Sequence, residues 1–116
     1  MYSSELIKGT LKTIILKLLK SNGKMYGYEI TQRVKELTNN KIQITEGALY
    51  PTLHLLEKEG EVETETENIG KRVRKYYTIT PKGKVTVDLK VNEFMDFMNT
   101  MKFLLDLELD VGHAAK

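Results

Sequence analysis

Apolar residues recur at helical spacing through the first sixty positions. Ile7, Leu11, Ile14, Ile15, Leu18 and Leu19 share one face with Lys8, Lys12, Lys17 and Lys20 between them, which predicts a first helix over residues 5–20. Ser21-Asn22-Gly23 supplies its stop, because Gly tolerates the left-handed cap conformation. Ile30, Val34 and Leu37 form the buried stripe of a second helix over residues 27–37. Thr38-Asn39-Asn40 ends that helix, and residues 41–44 are a short connector. Thr45 is the N-cap of a third helix. On its wheel Leu49, Leu53 and Leu56 form a core side, Gly47, Pro51, His54 and Lys58 lie opposite, and Tyr50 is on the flank. Pro51 removes one backbone hydrogen bond and crowds residue 47, where Gly eases the contact, so a slight local bend is expected. Gly60 ends the helix.

The period then changes. Glu61-Val62-Glu63-Thr64-Glu65-Thr66-Glu67 alternates strictly, which predicts a strand with one acidic, exposed face. Asn68-Ile69-Gly70 is the turn, and Val73 to Ile79 is the return strand. Val62, Tyr77 and Ile79 face the core, while Glu63 and Glu65 share the outer face with Arg74 and Tyr76, where opposite charges can pair. Thr80 caps a last helix with Pro81 at its first position, running to about Leu107. Along it Val87, Val91, Phe94, Met98, Met101 and Leu105 are spaced 4, 3, 4, 3, 4, a heptad seam. One small domain cannot cover a stripe roughly 35–40 Å long; a second copy of the same helix can. The fold class is therefore α+β, mostly helical. It is a winged helix-turn-helix over residues 1–80 with a C-terminal dimerisation helix over 81–109 and a tail over 110–116.

Composition narrows the function class. With 116 residues there is room for one core. No apolar run approaches the roughly 20 residues of a membrane span, and the first residues lack a basic, apolar leader. Cysteine is absent and there are only two His, so disulfides and a structural zinc site are not expected, and a reducing cytoplasm is. The net charge of +2 is unremarkable, but its distribution is uneven. Residues 1–60 carry nine Lys or Arg against six Asp or Glu, residues 61–80 four of each, and residues 81–116 five against six.

The segment Lys71-Arg72-Val73-Arg74-Lys75 puts four cations in five residues directly after a Gly turn. Cations on a hairpin tip suit a phosphate backbone, since each neutralised phosphate releases counterions. A charge run alone is more often a solvated hairpin; together with the neighbouring amphipathic third helix it suggests a winged helix-turn-helix. No nucleophile, phosphate loop or cluster of His and carboxylates supports catalysis, and no cofactor is expected.

Three motifs, in order, carry a resemblance over about residues 5–105. They are Gly23-Lys24-Met25-Tyr26-Gly27-Tyr28-Glu29-Ile30, then Gly47-Ala48-Leu49-Tyr50-Pro51-Thr52-Leu53 with Leu56-Glu57 and Gly60, then residues 72–80 (Arg-Val-Arg-Lys-Tyr-Tyr-Thr-Ile-Thr) with Gly83. The chain resembles the PadR-like transcriptional regulators, in their short subfamily with a single C-terminal helix. The resemblance implies a dimeric winged-helix repressor whose DNA binding is relieved by a small molecule. It also implies that Tyr50 sits at the DNA-facing edge, where a phenol can donate to a phosphate, and that an effector would lie near the dimer interface. The chain departs from the family pattern at Lys24, at Glu61, at His54 and Leu55, and in its acidic first wing strand.

The expected DNA-binding residues are Thr45, Glu46, Gly47, Tyr50, Pro51, His54, Lys58, Lys71, Arg72 and Arg74. The expected effector walls are Ile7, Lys8 and Leu11 from the first helix, and Phe94, Phe97, Met98 and Met101 from the last. The dimer seam is Val87, Val91, Phe94, Met98, Met101 and Leu105. The expected partners are double-stranded DNA, a second copy of the chain and a small aromatic effector; no membrane and no metal. The alternative is a winged-helix protein-interaction module with no operator, docking through its acidic strand.

Overall fold

The computed structural model of the chain describes residues 2–106. Two helices stand where the spacing predicts one: α1 (Ser4–Lys8) and α2 (Leu11–Asn22). The break falls at Gly9-Thr10. Gly has little helix preference, and the Thr10 hydroxyl turns back to donate to the Ile7 carbonyl at 3.1 Å. Helix α1 buries nothing, whereas α2 buries Leu11, Ile15, Leu16, Leu18 and Leu19. Gly23 closes α2 at φ +79°, in the left-handed region that suits Gly.

A two-residue strand, β1 (Met25–Tyr26), follows and runs straight into α3 (Gly27–Leu37). The Glu29 carboxylate accepts from the Tyr26 N–H at 3.0 Å, which satisfies a donor at the helix start. Ile30 and Val34 are buried as predicted, but Leu37 is 61% exposed. The chain turns away at that point. The Thr38 hydroxyl donates to the Val34 carbonyl (2.8 Å) and accepts from the Ile42 N–H (3.0 Å). Asn39 and Asn40 adopt positive φ, and Ile42 and Ile44 close the core instead of Leu37.

Helix α4 (Glu46–Lys58) is capped by the Thr45 hydroxyl, which accepts from the Ala48 N–H at 3.2 Å. It continues through Pro51, and it buries Leu49, Leu53 and Leu56 almost completely. Each such leucine withdrawn from water contributes about 1.5–3 kcal/mol, so this face fixes which way the opposite one points.

The hairpin consists of β2 (Val62–Ile69) and β3 (Arg72–Ile79), longer than predicted because only Gly70 and Lys71 turn. Gly70 has φ +63° and is the only positive-φ residue of the pair, as in a type II′ turn. The sheet order is β1-β3-β2, all antiparallel. Val62 and Tyr77 are buried and Ile79 packs on the same core. Glu61 is a correction: it is buried, not on an exposed face, and its Oε2 accepts from the Thr86 hydroxyl at 2.7 Å. The start of α5 (Pro81–Leu104) crosses directly over it, with the Thr80 hydroxyl accepting from the Gly83 N–H at 3.0 Å.

Helix α5 ends at Leu104, with Leu105 as its cap. The predicted end at Leu107 and the tail over 110–116 lie outside the described residues. Lys20 pairs with Asp88 at 2.6 Å, tying α5 to α2. Val87 is fully buried in its own chain and Val91 packs on the same core, so Val87 cannot face a second copy as the heptad reading expected. Beyond Val91 the helix leaves the core. Phe94, Met95, Phe97 and Met98 are 40–56% exposed, and the molecule measures 58 × 29 × 23 Å.

Candidate nucleic-acid interface

Burying Leu49, Leu53 and Leu56 leaves Glu46, Gly47, Tyr50, Pro51, His54 and Lys58 exposed on α4, with Thr45 exposed just before it. The first turn of α3 and the wing flank this helix. Together they form a groove of about 700 Å³ whose lining includes Tyr26, Tyr28, Tyr50, His54, Arg72 and Lys75. Tyr50 and His54 thus line one groove with the wing cations Arg72 and Arg74. Gly27 makes this possible. A Cβ there would lie 2.8 Å from Tyr50 Cζ and 3.0 Å from Cε1, so the Tyr50 ring rests directly on the α3 backbone.

The expected DNA-binding set is divided by the structure. Thr45, Gly47 and Pro51 line a second cavity of about 780 Å³, together with Ile7, Lys8 and Leu11. Lys58 lies at the far end of α4. The two expected effector walls do not meet within one chain: Phe94, Phe97, Met98 and Met101 are on the projecting part of α5, and Leu11 is already buried in its own core.

The four wing cations have different surroundings. Lys75 pairs with Glu57 of α4 at 3.7 Å, and the Thr64 hydroxyl donates to the same carboxylate at 3.2 Å, so the wing is moored to the helix it flanks. The Arg74 guanidinium stacks 4.0 Å from the centre of the Tyr26 ring. Tyr26 in turn meets Tyr76 edge-on with centroids 5.6 Å apart. Lys71 and Arg72 are exposed and make no ion pair among the described residues.

The acidic strand is compensated from an unexpected direction. Glu67 stands opposite Arg74 and Glu65 opposite Tyr76 in the register. Yet the cation that meets them is Lys24, which pairs with Glu65 at 3.8 Å and hydrogen-bonds Glu67. Its ammonium also sits 4.9 Å from the centre of the Tyr76 ring. The hydrogen bond to Glu67 raises the Lys24 pKa above its ordinary value. Sequence reasoning missed Tyr26 and its neighbour Lys24, because a two-residue strand leaves no periodic signal, and Tyr28, because only the packing of α3 against α4 shows what its first turn exposes. Among the described residues no helix is long and apolar enough to cross a membrane.

Comparison with known proteins agrees with this geometry. The profile of the transcriptional regulator PadR-like family matches residues 15–88. An uncharacterised protein of Lysinibacillus sphaericus is 37% identical over 113 residues, covering 95% of this chain and 97% of its own length. The solved structure of a transcriptional regulator from Clostridium thermocellum superposes with a TM-score of 0.81 at 33% identity, over 88% of this chain and 96% of that one. A PadR family transcriptional regulator from Eggerthella lenta gives 0.77 at 30% identity, over 90% and 88%. The chain belongs to the PadR-like family of transcriptional regulators.

Proposed function

We propose that the protein acts as a homodimeric repressor that holds a palindromic operator and releases it when a planar aromatic effector binds. The observation that carries the DNA-binding surface is the groove that Tyr50 and His54 share with the wing cation Arg72, with the exposed Lys71 next to Arg72 in the turn. In this reading Lys71 and Arg72 take phosphates, Tyr50 donates to a phosphate, and His54 reaches toward base edges. The remaining α4 residues of the expected set, Thr45, Glu46, Gly47, Pro51 and Lys58, frame the helix without sharing the groove.

The dimer reading rests on Phe94, Met98, Met101 and Leu105. They continue the heptad after α5 leaves its own core, with Phe94 and Met98 at 40% and 41% exposure. A second copy of α5 would cover them, and two reading helices then call for half-sites about one helical turn apart, roughly 34–36 Å. An effector pocket needs the same assembly: Ile7 and Lys8 of one subunit opposite Phe94, Phe97, Met98 and Met101 of the other. Such a pocket is aromatic and apolar with Lys8 at its rim, which suits an aromatic acid. The protein-interaction alternative is disfavoured, because the acidic strand is partly compensated within the chain, with Lys24 meeting Glu65 and Glu67.

The test is selection of duplexes from a random pool by the purified protein, followed by a screen of aromatic acids and cationic dyes for release. Enrichment of a palindrome, release by an aromatic compound and loss of that response in Phe97→Ala are the expected results. No enriched duplex would contradict the operator; release that is identical in Phe97→Ala would contradict the pocket.

A further inference from the structure

Three glutamates alternate along the outer face of β2, Glu63, Glu65 and Glu67, and they lead directly to the wing tip. From Glu67 to the turn at Gly70 is three residues, about 10 Å at the usual rise of a strand. That is close to one Debye length, about 10 Å at 0.1 M salt, so the Glu67 carboxylate repels any phosphate that reaches Lys71 and Arg72, and Glu65, two residues farther back, does so more weakly. The wing taken alone has no cationic excess: residues 61–80 carry four of each sign.

Lys24 comes from outside the wing, in the loop just before β1. Because the sheet order is β1-β3-β2, its side chain must cross the central strand to reach β2. It does so over the Tyr76 ring, 4.9 Å from the centroid, and ends against both Glu65 and Glu67. One ammonium therefore spans all three strands on the face where the acidic side chains lie.

Resting on the DNA-binding reading above, we infer that Lys24 is a positioning residue for DNA recognition, offsetting Glu65 and Glu67 across the sheet so that Lys71 and Arg72 can approach the phosphate backbone. It acts through the glutamates and not by holding a phosphate itself. Removing it leaves two uncompensated carboxylates beside the tip. Unit charges about 10 Å apart near a protein surface interact strongly enough to weaken binding about three- to tenfold at low salt.

The experiment is a binding titration, across a range of salt concentrations, of a generic duplex and of a duplex enriched by the wild-type protein. The proteins are wild type, Lys24→Ala, the triple variant Lys24→Ala/Glu65→Gln/Glu67→Gln, and Lys24→Ala with Glu93→Gln and Asp96→Asn, both exposed on α5, as a control of the same net charge as the triple variant. Thermal unfolding of each variant establishes that it folds. The expected result is weaker binding by Lys24→Ala, recovery in the triple variant with the wild-type salt slope, and no recovery with Glu93→Gln and Asp96→Asn. Unchanged binding by Lys24→Ala overturns the inference. So does a triple variant that stays weak with a slope flattened by about 0.9, because Lys24 would then hold a phosphate directly. Equal recovery with Glu93→Gln and Asp96→Asn would overturn it in favour of net charge alone. Wild-type protein that binds neither duplex overturns the DNA-binding reading itself, and this one with it.

Discussion

The contact between Gly27 and Tyr50 makes a sharp test of how the reading face is built. Gly27→Ala puts a methyl group 2.8 Å from Tyr50 Cζ and 3.0 Å from Cε1, well inside van der Waals contact. The φ of Gly27 is not in the left-handed region, so Ala is tolerated by the backbone, and the nearest conflict is with the Tyr50 side chain, its hydroxyl first. Tyr50 is 37% exposed and can swing toward solvent. Stability should therefore change little, with the helix preference of Ala, at most about 1 kcal/mol over Gly, working in its favour. DNA binding should not escape. A hydrogen bond to a charged group is worth about 1.5–3 kcal/mol, so a displaced Tyr50 hydroxyl should weaken binding about ten- to hundredfold. The assay is fluorescence anisotropy with an enriched duplex, alongside thermal unfolding, for Gly27→Ala, Tyr50→Ala and the double variant. Adding Gly27→Ala to Tyr50→Ala should cost nothing further. Wild-type affinity in Gly27→Ala, or an equal loss in the Tyr50→Ala background, would refute the reasoning.

Other consequences are as specific. Gly83→Ala drives a methyl group against the Glu61 carbonyl and within 2.7 Å of Ile79 Cγ1. That carbonyl is held by the Thr80 N–H at 3.1 Å and cannot yield easily. Overpacking of about 1–3 kcal/mol should exceed the helix-preference gain, so urea denaturation should show a less stable protein; equal or greater stability would refute the close approach. Burial raises the pKa of the Tyr77 phenol above 10.0, so the folded state retains a proton that the unfolded state loses. Its contribution is complete below pH 10.0 and is lost as pH rises through the raised folded value. Thermal unfolding between pH 9 and pH 11 should fall more steeply for wild type than for Tyr77→Phe. Met98→Lys should abolish a homodimer in sedimentation, and a tight dimer in that variant would mean α5 pairs through another face.

The long periodic elements were legible in the sequence for a plain reason. The stripes Leu49-Leu53-Leu56 and Ile30-Val34 each bury several side chains on one face, and that requirement leaves a repeat. What was not legible depends on single residues or on distant partners. Gly9 splits a helix whose apolar spacing continues across it. Met25 and Tyr26 become a strand only because β3 lies beside them. Glu61 has the parity of the exposed glutamates, but α5 returns over it, which no local pattern could announce. Val87 fits the heptad as well as Met98 does; only the path of α5 over α2 assigns one to the core and the other to the exposed face. The site shows the same division. Tyr50, His54, Arg72 and Arg74 were foreseen and do meet, whereas Lys24 and the acidic strand, two separate oddities in the sequence, prove to be one contact.

The central claim is that the wing tip and the open face of α4 hold DNA together. Its most direct test is the salt dependence of duplex binding by wild type and by Lys71→Ala/Arg72→Ala. Loss of these two unpaired cations should weaken all sequences alike and flatten the log–log slope by about one to two units. An unchanged slope, with affinity intact, would remove the wing from the interface and contradict the account.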